Sequence, residues 1–237
     1  MRLRSPTSVL ATGLAVVFPL VFVLLATATP TYATPMLRLS TDGGGTWTTI
    51  TDQLAGDFNP TPGAITFVGP LTGFPVNVTT GITKPALGST TLPSMDLNSV
   101  DIGAGALIIE FSDTAFGPFN SNFSLGIGGT VAASGTLLYA AFLDPGNANF
   151  VTTTTLGLLG PFGPGAFSGS TSSALQAVGF PYSLTQRVTI SQTSQGATSF
   201  NATLTVPAPA PLVLLGIGLL SLGLLSWRRN RQPNCVS

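Results

Sequence analysis

Few residues in this chain could carry acid–base, nucleophilic or metal chemistry. Its 237 residues include no histidine, one cysteine (Cys235) and one glutamate (Glu110). That inventory excludes Ser–His and Cys–His nucleophile systems, Cys/His metal sites and an intrachain disulfide. Glycosidase chemistry needs two carboxylates facing each other across a cleft. Glu110 lies in the segment Leu107-Ile-Ile-Glu-Phe-Ser-Asp113. Alternation puts it on the same side as Ile108, with Asp113 at the strand's end, and nothing pairs the two with a sugar site. Glu110 therefore reads as a solvated strand residue, the default for a charge. Asp96-Leu-Asn98-Ser-Val-Asp101 offers hard oxygen ligands, a candidate Ca²⁺ site and the leading ligand hypothesis here. Ca²⁺ takes about six to eight oxygens, and the stretch lacks the glycine and terminal glutamate of an EF-hand loop. The expectation is a polar turn, with no cofactor otherwise.

Ser40-Thr-Asp42-Gly-Gly44-Gly-Thr46-Trp47 fits the pattern S-x-D-x-G-x-T-W. It resembles the Asp-box of sialidases and other β-propellers. A sialidase-like enzyme implies repeated blades and an arginine cluster, whereas the match occurs once and the region holds only Arg38 and Arg187. The physical reading is a hairpin device: Asp42 accepts turn N–H groups, the glycines allow positive φ, and Trp47 plugs the turn against the sheet. Asn77-Val-Thr79, Asn122-Phe-Ser124 and Asn201-Ala-Thr203 fit the N-glycosylation acceptor pattern, which arises often by chance in a Thr-rich chain.

Composition narrows the class. Charged residues make up 7% of the chain, far below the roughly 25% of ordinary soluble domains. Five of the eight basic residues lie at the extremes (Arg2, Arg4, Arg228, Arg229, Arg231). Between Thr34 and Thr205 only Arg38, Lys84 and Arg187 oppose all eight acidic residues, so 3 − 8 leaves a net charge of −5. Nucleic acid is excluded as a partner, because phosphate binding needs clustered Lys and Arg.

The elements that must position these residues are strands. Thr, Ser, Val, Phe and Gly dominate residues 34–205, in short alternations separated by turn signals. The pattern predicts strands over 36–40, 47–52, 64–68, 76–80, 106–112, 123–127, 136–143, 150–156, 184–191 and 198–205. Asp42-Gly43, Gly117-Pro118, Asp144-Pro-Gly-Asn147 and Gly163-Pro-Gly165 are the breakers between them. No stretch sustains a 3.6-residue apolar face. The expected fold is all-β: an antiparallel, jelly-roll-like β-sandwich ectodomain over 34–205, flanked by an N-terminal signal helix and a C-terminal transmembrane helix.

The ends read as targeting segments. Arg2 and Arg4, an apolar stretch from about Val9 to Ala26, and a small-residue exit give the order of a signal peptide, residues 1–33. Cleavage is placed between Ala33 and Thr34, with Ala28 as a second exit; an uncleaved anchor is the alternative. At the other end, residues 206–237 join Val206-Pro207-Ala208-Pro209-Ala210-Pro211 to an uncharged run over 212–227 and then to Arg228, Arg229 and Arg231. Sixteen helical residues span about 24 Å, so Trp227 and the arginines must help the run cross a bilayer core of about 30 Å. The positive-inside rule puts the arginines in the cytoplasm and residues 34–205 outside.

This layout resembles the PEP-CTERM sorting signal, with Pro207-Ala208-Pro209 or Pro209-Ala210-Pro211 where the family has Pro-Glu-Pro. The resemblance implies a membrane-embedded exosortase, a protease or transpeptidase, as partner, and residence in the membrane followed by the cell surface or exterior. A plain C-terminal anchor is the alternative. The functional expectation is a non-enzymatic surface or extracellular-matrix protein, structural or adhesive among extracellular polysaccharides. A carbohydrate-binding module presenting Trp47, Tyr139, Tyr182 or phenylalanines to sugar rings is the second reading, although these aromatics read first as core.

Overall fold

The computed structural model describes residues 34–207 and 219–221. The exit Ala33, the junction from Ala208 to Pro211 and the arginines Arg228, Arg229 and Arg231 lie outside the described residues, as does most of the run over 212–227. Within that run only Leu219 to Ser221 is described, and it is helical. No helix among the described residues is long and apolar enough to cross a membrane.

Residues 34–207 are all-β and antiparallel. The strands are β1 (Met36–Ser40), β2 (Thr48–Thr51), β3 (Ala64–Leu71), β4 (Phe74–Ile82), β5 (Ser94–Phe116), β6 (Phe119–Ser121), β7 (Ser124–Val131), β8 (Gly135–Asp144), β9 (Thr154–Phe162), β10 (Gly165–Ser172), β11 (Gln176–Val178) and β12 (Tyr182–Thr205). Two very long strands organise them. β5 and β12 pair along almost their whole length, from Tyr182 opposite Phe116 to Thr205 opposite Ser94, with a register shift between Gln192 and Gly196.

That shift divides the ribbon into two halves with different neighbours. The first half of β5 pairs with β4, which pairs with β3, while the matching half of β12 pairs with β7 and through it with β10. The second half of β5 pairs with β1 and thence β2, and the other half of β12 pairs with β8 and thence β9. The two halves carry the strands into two layers that pack face to face. Tyr139 of β8 donates its hydroxyl to the carbonyl of Thr203 at 3.2 Å, and Gln186 donates to the Tyr139 oxygen at 2.9 Å, tying one layer to the other. A short pair, β6 with β11, adds a second small sheet.

The core lies between the layers: Leu37, Leu39, Phe74, Met95, Leu97, Ile109, Phe111, Phe123, Leu125, Tyr139, Tyr182, Val188 and Leu204 are all buried. Each such side chain contributes about 1.5–3 kcal/mol on leaving water. Close approach is enforced at Gly81, where an added Cβ would lie 2.5 Å from the Phe111 ring of the facing layer.

Several sequence readings are corrected. Asp96 to Asp101 is not a turn but the start of β5. The expected strands 184–191 and 198–205 are one strand, and β9 begins at Thr154, not Phe150. The Gly/Ser-rich β10 was not expected, because glycine and serine carry little strand propensity.

Candidate functional site

The outer face of the layer built on β1, β5, β12 and β8 gathers three charges in one row. Register places Arg38 of β1 and Arg187 of β12 on either side of Glu110. Arg38 donates through Nε to Glu110 Oε2 at 2.5 Å, and Arg187 donates through Nε to Oε1. Glu110 does point outward with Ile108, yet it is 0% exposed, so the solvated reading is wrong. Arginine stems and aromatic rings roof it. The Arg38 guanidinium lies between Trp47, 4.0 Å from its ring centroid, and Phe150, 4.1 Å away; Phe142 lies 5.2 Å from that of Arg187. Stacking of this kind suits the planar, weakly hydrated guanidinium.

Two loops supply the roof. In the β1–β2 hairpin, Asp42 accepts the Thr46 N–H at 2.9 Å and the Thr46 hydroxyl at 2.7 Å, while Ser40 donates its hydroxyl to Asp42 and accepts the Gly44 N–H. The Thr46 bonds, backbone first, hold the Asp42 carboxyl well below the usual range. The hairpin reading of Ser40 to Trp47 thus describes the geometry, with Trp47 laid over Gly44 and Arg38. The second loop follows β8: Asp144 accepts the Ala148 N–H and the Thr153 hydroxyl, and Phe150 takes φ +64°, a strained conformation for a bulky residue. Its N–H donates to Ser112 Oγ at 3.1 Å, which fixes the ring over Arg38.

Beside the ion row, Leu138, Ala140, Phe142, Leu158, Arg187 and Thr189 line a shallow concavity of about 240 Å³. Arg187 is 35% exposed along its side chain.

The opposite layer shows a second surface, where the usual alternation is reversed. Asn77, Thr79, Ser99 and Asp101 point inward and are buried, while Val76, Val78, Val100 and Ile102 point outward. Register sets Val68, Val78 and Val100 in one row across three strands and Val76 beside Ile102 in the next. These five are 36–47% exposed. The inward groups bond one another: Asn77 and Ser99 donate to Asp101 Oδ1, and Thr79 donates to Asn77. Burial pushes Asp101 up to about 7, against the lowering bonds of Ser99 and Asn77.

The alternation also separates the oxygens of the stretch offered as Ca²⁺ ligands. Asp96 and Asn98 lie on the outer face and Asp101 on the inner one, so the three do not converge. No group of three or more His, Cys, Asp or Glu side chains placed to hold a metal ion occurs among the described residues. Tyr139 and Tyr182, candidate sugar platforms, are core residues at 0% exposure. Asn77, in an acceptor triplet, is buried, whereas Asn201 is exposed. Of the sorting residues, Val206 and Pro207 are described, and Val206 donates its N–H to the carbonyl of Pro93.

Phe142, Phe150 and the valine rows were missed in the sequence. The signal for the rows is present, since V-N-V-T at 76–79 and S-V-D-I at 99–102 alternate cleanly, but alternation alone does not say which set faces the core.

No family model and no curated protein matches the sequence. Among solved structures, the chain is similar to YcfD, a ribosomal oxygenase from Escherichia coli, at 12% identity and TM-score 0.20, covering 87% of this chain and 47% of that one. It is also similar to a structure of infectious bursal disease virus Gx strain, at 12% identity and TM-score 0.27, covering 75% and 57%. The chain thus spans about half the length of these structures, and at such TM-scores neither likeness bears on fold or chemistry.

Proposed function

We propose that this is a non-enzymatic exported surface or extracellular-matrix protein, delivered by its signal peptide and its PEP-CTERM-like tail, whose jelly-roll-like sandwich acts as an adhesive module in a polysaccharide-rich matrix. The observation that carries the adhesive reading is the pair of valine and isoleucine rows on β3, β4 and β5. Exposed apolar residues are ordinary one at a time, but a contiguous set over a polar inner ladder marks a face that meets something apolar. The uncharged run over 212–227 and the arginines beyond it support the sorting half of the reading.

Two experiments test the two halves. Deleting Pro207 to Ser237 should release the protein unprocessed, and an unchanged mature mass and location would refute the sorting reading. Replacing Val78 and Val100 by Asp should abolish retention of the full chain on hydrated polysaccharide films while leaving its thermal melt intact. Undiminished retention would refute the adhesive face.

The concavity beside Arg187 favours a second reading, a carbohydrate-binding module. An aromatic ring, an arginine fork and a threonine hydroxyl border one shallow depression, the mix of apolar wall and few polar groups that small ligands use. Glycan-array binding lost in Phe142→Ala, with the valine face untouched, would select this reading over the first.

A further inference from the structure

Lys84 and Asp113 meet inside the domain, away from both surfaces. They are 2% and 0% exposed, and they lie on segments far apart in sequence, the exit of β4 and the second half of β5. Lys84 Nζ is 2.6 Å from Asp113 Oδ2 and 2.6 Å from the carbonyl oxygen of Thr114. The Phe116 ring covers the nitrogen, its centroid 3.9 Å away. The carboxyl is equally well held: Oδ1 accepts the Thr114 N–H at 2.8 Å, and Oδ2 accepts the Thr83 hydroxyl at 2.9 Å.

The arrangement has the parts of an acyl-transfer site. A nucleophile is pressed against a carboxyl group, one carboxyl oxygen faces a backbone donor, and the other faces a hydroxyl. We propose that Lys84 and Asp113 condense to an intramolecular isopeptide bond between Nζ and Cγ, a covalent staple joining the end of β4 to β5.

The step balances without any co-reactant. One proton passes from the ammonium to Oδ2 across the contact, giving a neutral amine and a neutral acid. Burial favours this, lowering the Lys84 pKa and raising that of Asp113. The nitrogen lone pair attacks Cγ, and negative charge builds on Oδ1 against the Thr114 N–H. The Cγ–Oδ2 bond breaks, Oδ2 leaves as water with a second proton from the nitrogen, and the Thr83 hydroxyl holds the departing oxygen. Ammonium plus carboxylate becomes amide plus water.

Burial and proximity both favour the product. A buried ion pair carries the desolvation of two charges, which an amide removes. The new N–H still has the Thr114 carbonyl to donate to, and the new C=O keeps the Thr114 N–H. Holding the two groups in contact supplies the effective concentration that condensation in water lacks. The bond needs only the folded domain, and it stands whether or not the sorting reading does.

Glu110 is the chain's single glutamate and lies between Lys84 and Asp113 in sequence, so cleavage of the unfolded full chain after glutamate decides the matter. The two parts are expected to stay joined on a denaturing gel, with a mass lower by one water than their sum and fragmentation spectra placing the bond at Lys84 and Asp113. Lys84→Arg and Asp113→Ala chains are expected to give two free parts. Two free, unmodified parts from the wild-type chain would overturn the proposal, as would a joined product mapping to any other pair. Removal of an N-terminal segment would change the size of one part but not whether the two are joined, and the wild-type result stands even where a variant fails to fold.

Discussion

Glu110 receives one arginine from each neighbouring strand, and those arginines lie 72 and 77 residues away in sequence. Removing the carboxylate leaves two guanidinium groups facing each other, whereas removing one arginine leaves Glu110 still paired. Glu110→Ala is therefore expected to lower stability by about 3–5 kcal/mol, as for a broken buried ion pair. Arg187→Ala should cost less, since its head is already partly in water. Urea unfolding of the two variants checks the order. Asp101 gives a pH signature of definite sign. Its folded pKa is raised to about 7 from an ordinary 3.8. The stability it contributes is therefore fully present below about pH 4 and is lost as pH rises to about 7, at up to roughly 1.4 kcal/mol per pH unit. Asp101→Asn should flatten that part of the wild-type curve; an unchanged slope would show that Asp101 is not the titrating group. The sequence made Glu110's face legible but not its burial, because a single strand reveals which side a residue takes and not what is brought over it by distant partners.

Elements were legible where alternation and burial agree. The strand expected over 36–40 has its observed bounds as β1, and the four breaker motifs lie at or between strand ends, with Asp144 closing β8 and Gly165 opening β10. Asp96 to Asp101 reads as a turn in the sequence because four of its six residues are polar, whereas in β5 those residues divide between the faces, Asp96 and Asn98 outward and Ser99 and Asp101 inward. The single strand β12 was divided because Gly196 and its polar neighbours, where the ribbon passes between layers, resemble a turn. Interlayer spacing was invisible in the sequence. Gly81 of β4 permits the approach of Phe111, and Gly81→Ala is expected to cost about 1–3 kcal/mol by overpacking. Phe111→Leu in the same chain should return part of that loss, a negative coupling that a double-mutant cycle measures. Additive losses would mean that the layers are not set by this contact.

At the scale of the whole molecule, all three basic residues between 34 and 205 are committed to carboxylates: Arg38 and Arg187 to Glu110, and Lys84 to Asp113. What remains for long-range attraction is weakly acidic, and none of the five residues in the valine and isoleucine rows is charged. Adhesion through that face must then be driven by burial of apolar surface. Raising NaCl from about 0.1 to 1 M shortens the Debye length from about 10 to 3 Å and should leave such adhesion undiminished. Ammonium sulfate, which strengthens apolar association, should increase it. Capture of an acidic polysaccharide by Arg187 beside Phe142 would respond in the opposite way, weakening as salt screens the guanidinium. Retention of the full chain on a polysaccharide film, measured across both salts, therefore separates the two surfaces without any mutation. Retention that falls steeply with NaCl would move the adhesive role from the valine rows of β3, β4 and β5 to the arginine-bordered concavity on the other layer.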